Sequence, residues 1–372
     1  MDIAVIIPLY NGEEWIRETL DSVIEQSLPP SEIIVVDDGS TDASPSIVEG
    51  YTEVELIENK SGDGPAASRN LGCKRSSAEA VAFLDQDDLW HPDHLKYLSQ
   101  SLRGSSEAPA SFSGSDYIHG DEPPDYTPKT SGSELCDPWN TYPANLVGPP
   151  FLALIRRSAL KSVDGWSPQY EGCSDFHLWL KLGLLGPLVS NGHVTAANRK
   201  HSSSHGADLR SSGQEVVNYY ARRVGASEDV LARRRRAGLN VERYRPRLEV
   251  QKALLEYLKV LVGKEGRGLH AIARQLQTMT EDQPREVLLP VWRHFQWYVG
   301  PYAQEIGIHR YASKILDLVD CWPSSGSPFR EILFDWALSH TPASDMIKRY
   351  PFTPSCWRRV SKRGYRKLRR RL

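Results

Sequence analysis

The segment "VAFLDQDDLWHPD", residues 81–93, joins an apolar run to a cluster of acids. Four apolar residues lead directly into Asp85, Gln86, Asp87 and Asp88. A short apolar run of this kind is typical of a buried strand, and three carboxylates within four positions at its end repel one another. The pattern therefore predicts a cation among these acids. The alternative is that Asp87 or Asp88 stabilises the start of the helix that follows near Pro92.

The acidic strand belongs to a regular alternation of strands and helices. Apolar, β-branched runs at residues 3–10, 33–38 and 54–59 alternate with helical patterns such as that of residues 13–28. Strands that are apolar throughout and separated by helices predict a parallel sheet covered on both faces. Ligands of such sheets bind beyond the carboxyl ends of the strands, which is where Tyr10, Asp38 and Asp87 fall.

The character of the chain changes after about residue 211. Long helical patterns without a clear strand predict a helical region over residues 212–352, after an α/β domain over residues 1–211. The last twenty residues, 353–372, contain nine Lys or Arg with a few bulky apolar groups. Such a basic tail suits peripheral contact with an anionic membrane. A solvated tail, or one that binds an acidic partner, is the open alternative.

Composition excludes several function classes. The formal net charge is −2, and the five Cys are scattered without a CxxC pair. Near-neutral charge nominates no nucleic-acid partner, and isolated Cys indicate a reducing compartment. The N-terminal residues enter a strand pattern with no basic region before it, which predicts no signal peptide. We therefore expect a cytoplasmic protein, with the basic tail as its contact with the inner face of the membrane.

The residues at the strand ends favour a nucleotide ligand. Carboxylates on a rigid strand end suit Mg²⁺ or Mn²⁺, and these ions keep positions open for phosphate oxygens. The ring of Tyr10 could stack on a base, and the carboxylate of Asp38 could accept the imide N–H of a uracil. Packing alone for Tyr10, and a turn role for the neighbouring Asp37, remain the alternatives.

Five segments in order carry a resemblance to a known family: "IIPLYN", "VVDDGSTD", "GPAASRN", "FLDQDD" and "SDFHLWL". Over roughly residues 1–205 the chain resembles family 2 nucleotide-sugar glycosyltransferases of the GT-A fold. The resemblance implies a mostly parallel sheet with helices on both faces, followed here by the helical C-terminal region. It also implies metal-dependent, inverting transfer of a sugar from a nucleotide sugar, with a UDP-sugar favoured. The acceptor would be a hydroxyl of a glycan, a lipid-linked molecule or another compound, as in polysaccharide biosynthesis.

The resemblance assigns roles to residues at the strand ends. Asp85 and Asp87 would form the DXD motif, with Asp85 reaching the ribose side and Asp87 the metal. Arg69 would lie near the base or the diphosphate, unless it forms a surface ion pair. The donor-binding set implied in this way is Pro8, Leu9, Tyr10, Asn11, Asp38, Arg69, Asp85, Gln86 and Asp87.

The same resemblance places the general base at Asp175. The family usually has a Glu-Asp pair at the start of this helix, and here Ser174 replaces the Glu. Ser-Asp is also a good helix N-cap, so capping is the alternative role. His201 falls on a position where a His can reach the metal or the diphosphate. A solvated loop His is the alternative there.

Two other functions remain open at this point. A sugar nucleotidyltransferase also uses strand-end carboxylates with Mg²⁺, although "PLYNGEE" is a poor Gly-rich loop for one. A non-catalytic protein that binds a nucleotide sugar is favoured only by the missing Glu at position 174. Binding of UDP with Mn²⁺, compared with binding of nucleoside triphosphates, distinguishes these possibilities.

Overall fold

A computed structural model of the chain describes residues 1–59, 61–118, 133–199, 201, 212–263, 268–322 and 327–341. The chain divides into two compact units, Met1–Ser204 and His205–Leu372. The predicted boundary after residue 211 and the predicted basic tail, residues 353–372, lie outside the described residues. They remain predictions, as does membrane contact through the tail.

The first unit is built on one sheet of nine strands. Its strands run in the order β3-β2-β1-β4-β8-β6-β9-β5, and β7 pairs with β9. Their bounds are β1 Ile3–Leu9, β2 Glu32–Asp37, β3 Val54–Glu58, β4 Ala80–Phe83, β5 Leu89–Trp90, β6 Ala110–Ile118, β7 Glu134–Cys136, β8 Ala153–Arg156 and β9 Leu188–Arg199.

The first four strands form a parallel half-sheet that positions the acidic residues. β1 pairs in parallel with β2 on one side and β4 on the other, and β2 pairs in parallel with β3. The strand order reverses at β1, and a ligand crevice forms at the carboxyl ends of the strands where such a reversal occurs. β1 and β4 are buried along their whole length, as their uninterrupted apolar runs predict.

The second half of the sheet is mixed. β8 is antiparallel to both β4 and β6, whereas β6 and β9 are parallel. β5 and β7 add antiparallel edges to β9. The predicted α/β class is therefore right, but parallel pairing predominates only among β1 to β4. A β-bulge in β6 near Gly114 shifts the register of β6 against β9.

The described residues of the first unit include seven α-helices: α1 Ile16–Ile24, α2 Ser44–Val48, α3 Pro65–Arg75, α4 His94–Gly104, α5 Pro138–Thr141, α6 Arg157–Ser162 and α7 Ser174–Leu182. α1 buries Ile16, Leu20 and Val23, the helical spacing seen in the sequence. α3 approaches β1 closely at Gly72. A methyl group at residue 72 would lie 2.5 Å from Cγ2 of Ile6, so Gly72 permits this approach.

The second unit is helical over its described residues. Its helices are α8 Gly213–Arg236, α9 Arg245–Gly263, α10 Leu269–Thr280, α11 Arg285–Glu305, α12 Ile308–Asp320 and α13 Pro328–His340. Aromatic side chains make up much of its core, including Trp292, Phe295 and Phe329. Within the described ranges, no helix has the length and apolar character needed to cross a membrane.

Candidate functional site

The carboxylates at the end of β4 have hydrogen-bond partners from distant parts of the sequence. Arg69 of α3 donates a hydrogen bond to Asp85 Oδ1 through its Nη2 and forms an ion pair with it. Arg69 is only 5% exposed, and its guanidinium carbon lies 4.8 Å from the ring centroid of Trp166. A surface ion pair therefore does not describe Arg69. Its charge is directed at Asp85, the first acid of the predicted DXD motif.

Asp87 is paired with His201, which lies just after β9. His201 Nε2 is 2.7 Å from Asp87 Oδ2, and the His201 ring lies 5.5 Å from that of Trp15. Burial, followed by repulsion from Asp85, raises the pKa of Asp87, and the contact with His201 partly offsets this rise. The two predicted metal ligands, Asp87 and His201, are thus adjacent.

Asp88 connects the acidic segment, residues 85–88, to β9 through hydrogen bonds. Its Oδ1 accepts hydrogen bonds from Asn198 Nδ2 and the Arg199 backbone N–H, both at 2.9 Å. Its side chain is almost fully buried, and burial, with repulsion from Asp87 and Asp85, raises its pKa well above the ordinary range. α4 begins only at His94, with Asp93 as its N-cap residue. Neither Asp87 nor Asp88 therefore caps that helix.

The side chains around these acids bear on the predicted metal. Among the described residues, no group of three or more His, Cys, Asp or Glu side chains has the arrangement of a metal site. Asp87 and His201 supply two ligands. Mg²⁺ is commonly held by one or two protein groups together with phosphate oxygens and water, so the donor set fits if a diphosphate completes it. The hydrogen bond between Asp87 and His201 uses the same atoms and would have to open.

The end of β1 presents Tyr10 to solvent. Tyr10 is 58% exposed, so its ring is not part of the core and is accessible for stacking. Gln86 fixes its backbone: Tyr10 N–H donates to Gln86 Oε1 at 2.7 Å, and Gln86 Nε2 donates to Tyr10 O at 3.0 Å. Pro8 and Leu9, also predicted for the donor pocket, are buried in β1.

Asn11 and Asp38 hold the loops beside Tyr10. Asn11 has a positive φ of 49°, and its Oδ1 accepts the Thr41 backbone N–H at 2.8 Å. Asp38 Oδ1 accepts from Asn59 Nδ2 at 2.6 Å, and its Oδ2 accepts the Gly64 N–H at 2.8 Å. A contact between Asp38 and a base would therefore use its remaining lone pairs.

Asp37 has the turn role that was its alternative. Its Oδ1 accepts the Ser40 backbone N–H at 3.0 Å. This contact closes the turn directly after β2, so the carboxylate of Asp37 is used within the loop.

Asp175 lies in the first turn of α7, where its charge also suits the helix dipole. The N-cap residue is Cys173, and Ser174 is the first helical residue. Neither residue of the Ser-Asp pair therefore occupies the N-cap position, which was the alternative role for this pair. Asn145 Nδ2 donates a hydrogen bond of 2.7 Å to Asp175 Oδ2.

Several residues of this region were not singled out from the sequence. Arg199 donates to the Asp87 backbone oxygen and to Glu18, and its guanidinium stacks on Trp15 at 4.4 Å. Trp166 contacts Arg69 and exchanges two hydrogen bonds with Asn70. The sequence signal for Asn70 was its place in "GPAASRN". For Arg199 it was its place just before His201. For Trp166 there was none, because its partners are distant along the chain.

Comparison with known proteins bears on the first unit. Residues 4–163 match the family model described as Glycosyl transferase family 2. Glycosyltransferase GlyA of Streptococcus pneumoniae is 39% identical over 103 residues, 27% of this chain and 15% of its own length. Poly(ribitol-phosphate) beta-N-acetylglucosaminyltransferase TarS of Staphylococcus aureus is 41% identical over 103 residues, 26% of this chain and 18% of its own. The chain thus spans less than a fifth of either relative. The predicted resemblance to family 2 is confirmed.

A solved structure supports the fold. The crystal structure of S. aureus TarS 1-349 in complex with UDP-GlcNAc has a TM-score of 0.56 and 18% identity, and the match covers 91% of this chain and 93% of that chain. Similarity at this level of identity shows the fold alone. It confirms the predicted α/β, GT-A-type architecture with a helical C-terminal region.

Proposed function

We propose that this chain, which carries a family 2 glycosyltransferase domain, transfers a sugar from a UDP-sugar to a hydroxyl group with inversion at the anomeric carbon. The observation that carries the proposal is the convergence of three features at neighbouring parallel strand ends. These are the exposed ring of Tyr10 after β1, the buried Asp38 after β2, and the acidic cluster of Asp85 and Asp87 after β4.

The donor contacts follow from the chemistry of these residues. The Tyr10 ring stacks on the uracil, and Asp38 accepts its imide N–H. Gln86 and Asn11 hold the backbone around Tyr10 in place. Arg69 orients Asp85 towards the ribose side. The crystal structure of S. aureus TarS 1-349 in complex with UDP supports a uridine donor, although that chain is similar to this one only in fold.

Asp87 and His201 would hold Mg²⁺ or Mn²⁺. The ion offsets the negative charge that accumulates on the departing diphosphate. The raised pKa of Asp87 supports this assignment, because a buried carboxylate with a like-charged neighbour is stabilised by added positive charge.

Asp175 acts as the general base. Its carboxylate takes the proton from the acceptor hydroxyl as the hydroxyl oxygen attacks the anomeric carbon from the face opposite the diphosphate. Displacement in one step inverts the configuration, so an α-linked sugar nucleotide gives a β-glycoside. We propose that the acceptor is a glycan or a lipid-linked molecule, used in the cytoplasm. The basic tail, residues 353–372, would bring the enzyme to the inner face of the membrane.

The test combines binding with product analysis. UDP with Mn²⁺ should raise the melting temperature of the full chain more than UDP alone and more than UTP with Mn²⁺. Incubation with a panel of sugar nucleotides should then release UDP slowly from one donor, and NMR of the product should show an inverted anomeric centre. Binding without release from any donor would support the non-catalytic alternative. A preference for UTP would support the nucleotidyltransferase.

A further inference from the structure

Asn145 lies in the loop between α5 and β8, and its side-chain amide forms hydrogen bonds with both the Gly148 backbone and the Asp175 side chain. Its Oδ1 accepts the backbone N–H of Gly148 at 3.1 Å, while its Nδ2 donates to Asp175 Oδ2 at 2.7 Å. The Gly148 N–H can only donate, so it requires the oxygen of the amide on its side. The orientation of the Asn145 amide is therefore fixed by the backbone, and its NH₂ group faces Asp175.

The same loop is attached to α7 at a second point. Gly148 has a φ of 89°, a conformation that glycine adopts readily, and its carbonyl oxygen accepts a hydrogen bond of 2.9 Å from Trp179 Nε1. Trp179 is four residues after Asp175, so the two side chains lie on the same face of α7. The loop is held against one face of the helix, which fixes the position of Asn145 relative to Asp175.

We infer that Asn145 is a positioning residue for Asp175: its amide fixes the rotamer of the carboxylate and favours its ionised form. This inference rests on the proposed function, in which Asp175 is the base. The donor is a neutral amide, so it stabilises the carboxylate without forming an ion pair and without delivering a proton of its own. A hydrogen bond to the charged form of an acid favours that form, and a base must be ionised before it can accept a proton.

Two substitutions separate positioning from loop structure. Asn145→Asp keeps an acceptor for the Gly148 N–H but removes the donor to Asp175 and adds a like charge. We expect kcat for UDP release from the donor sugar nucleotide to fall about tenfold to a hundredfold. The donor KM should stay within about twofold, because the proposed donor contacts lie on other strand ends and the lost interaction does not bind the donor. The acid limb of the pH–rate profile should move to higher pH.

The second variant, Asn145→Ser, retains an acceptor that can close the turn, but its hydroxyl is too short to reach Asp175. It should lower kcat and shift the acid limb in the same direction, and it provides the test if Asn145→Asp does not fold. Asn218→Asp makes the same chemical change on an exposed position of α8. This control should keep the wild-type kcat and pH profile.

The outcomes distinguish this inference from the proposed function. Wild-type kcat and pH profile in folded Asn145→Asp and Asn145→Ser, while Asp175→Asn is inactive, would overturn the positioning role and leave the base assignment standing. Full activity in Asp175→Asn would overturn both. A fall in kcat that comes with an equal loss of UDP affinity, and no change in the pH profile, would assign Asn145 to loop structure alone.

Discussion

The acids at the end of β4 and the acid at the start of α7 differ in what surrounds them. Asp85, Asp87 and Asp88 lie within four positions, and repulsion adds to burial in raising the pKa of Asp87 and Asp88. Asp175 accepts a hydrogen bond from the neutral amide of Asn145. The cluster gains stability from added positive charge, whereas a neutral donor supports the carboxylate of Asp175. One arrangement suits binding of a cation, and the other suits acceptance of a proton.

The largest effect should come from Asp175→Asn. Asn keeps the size of the side chain but cannot take a proton, so transfer should fall on the order of a hundredfold or more, the range expected for a lost general base. UDP affinity and the melting temperature should change little, which calorimetry and thermal unfolding would check. Asp164→Asn, at an exposed position with a φ of 60° that Asn tolerates, is the control. Unaltered transfer in Asp175→Asn would contradict the assignment of Asp175 as the base. The distinction between a cation-binding cluster and a proton-accepting carboxylate would then no longer hold.

The next effect should come from Asp87→Asn. The change removes one charge from the proposed metal site, so the Mn²⁺-dependent part of the UDP thermal shift should largely disappear. The shift with UDP alone should persist. Asp93→Asn alters an acid on the other side of β5, at the N-cap of α4, whose pKa is lowered by hydrogen bonds from Ser27 and Lys96. It should retain the response to Mn²⁺. An identical response in Asp87→Asn and the wild type would contradict the metal assignment.

The smallest effect should come from Asp88→Asn in the absence of ligand. The pKa of Asp88 is raised on folding, so the folded state binds more protons than the unfolded state between the ordinary and the raised pKa. Stability is therefore lost as the pH rises through that window. Asn can accept the same bonds from Asn198 and Arg199 without charge. It should increase the free energy of unfolding near pH 7 by on the order of 1 kcal/mol.

The pH dependence checks that sign. The advantage of Asp88→Asn over the wild type, measured by urea unfolding, should shrink as the pH is lowered towards about 4, because Asp88 becomes protonated in the folded wild type. An advantage that grows at low pH, or a variant less stable than the wild type at neutral pH, would show that the charge at residue 88 is stabilising.

Local sequence patterns were sufficient to predict the strands that are continuous apolar runs and pair with strands of the same kind. The run at residues 3–10 predicted a strand, and β1 occupies Ile3–Leu9. The sequence did not indicate β9, because its polar residues give it no continuous apolar run and its partner β6 is distant in sequence. The mixed half of the sheet depends on such non-local pairing, so a local pattern could not predict it.

The sequence also predicted the site only in part: it indicated several of the residues but not the side chains they contact. Motif order pointed to Tyr10, Asp38, Arg69 and Asp87. The structure places Tyr10, Asp38 and Asp87 after neighbouring strands and Arg69 on α3 beside Asp85. Their partners were not predictable. Asn145 is 30 residues before Asp175, in a Gly- and Pro-rich loop with no periodic pattern. The contact depends on the turn at Gly148. The positive φ of that residue cannot be read from the sequence.

The absence of a side chain at Gly72 has a consequence beyond packing. Gly72 lies three residues after Arg69, about 4.5 Å along the axis of α3 and on a neighbouring part of its surface. The close approach of Gly72 to Ile6 therefore determines how near α3 lies to β1, and with it the position at which the guanidinium of Arg69 meets Asp85. A larger residue at position 72 would force either Ile6 or α3 to shift, and a shift of α3 away from β1 would withdraw that charge from the acidic cluster. The pairing of Arg69 with the acidic cluster thus depends on how closely Gly72 packs against Ile6.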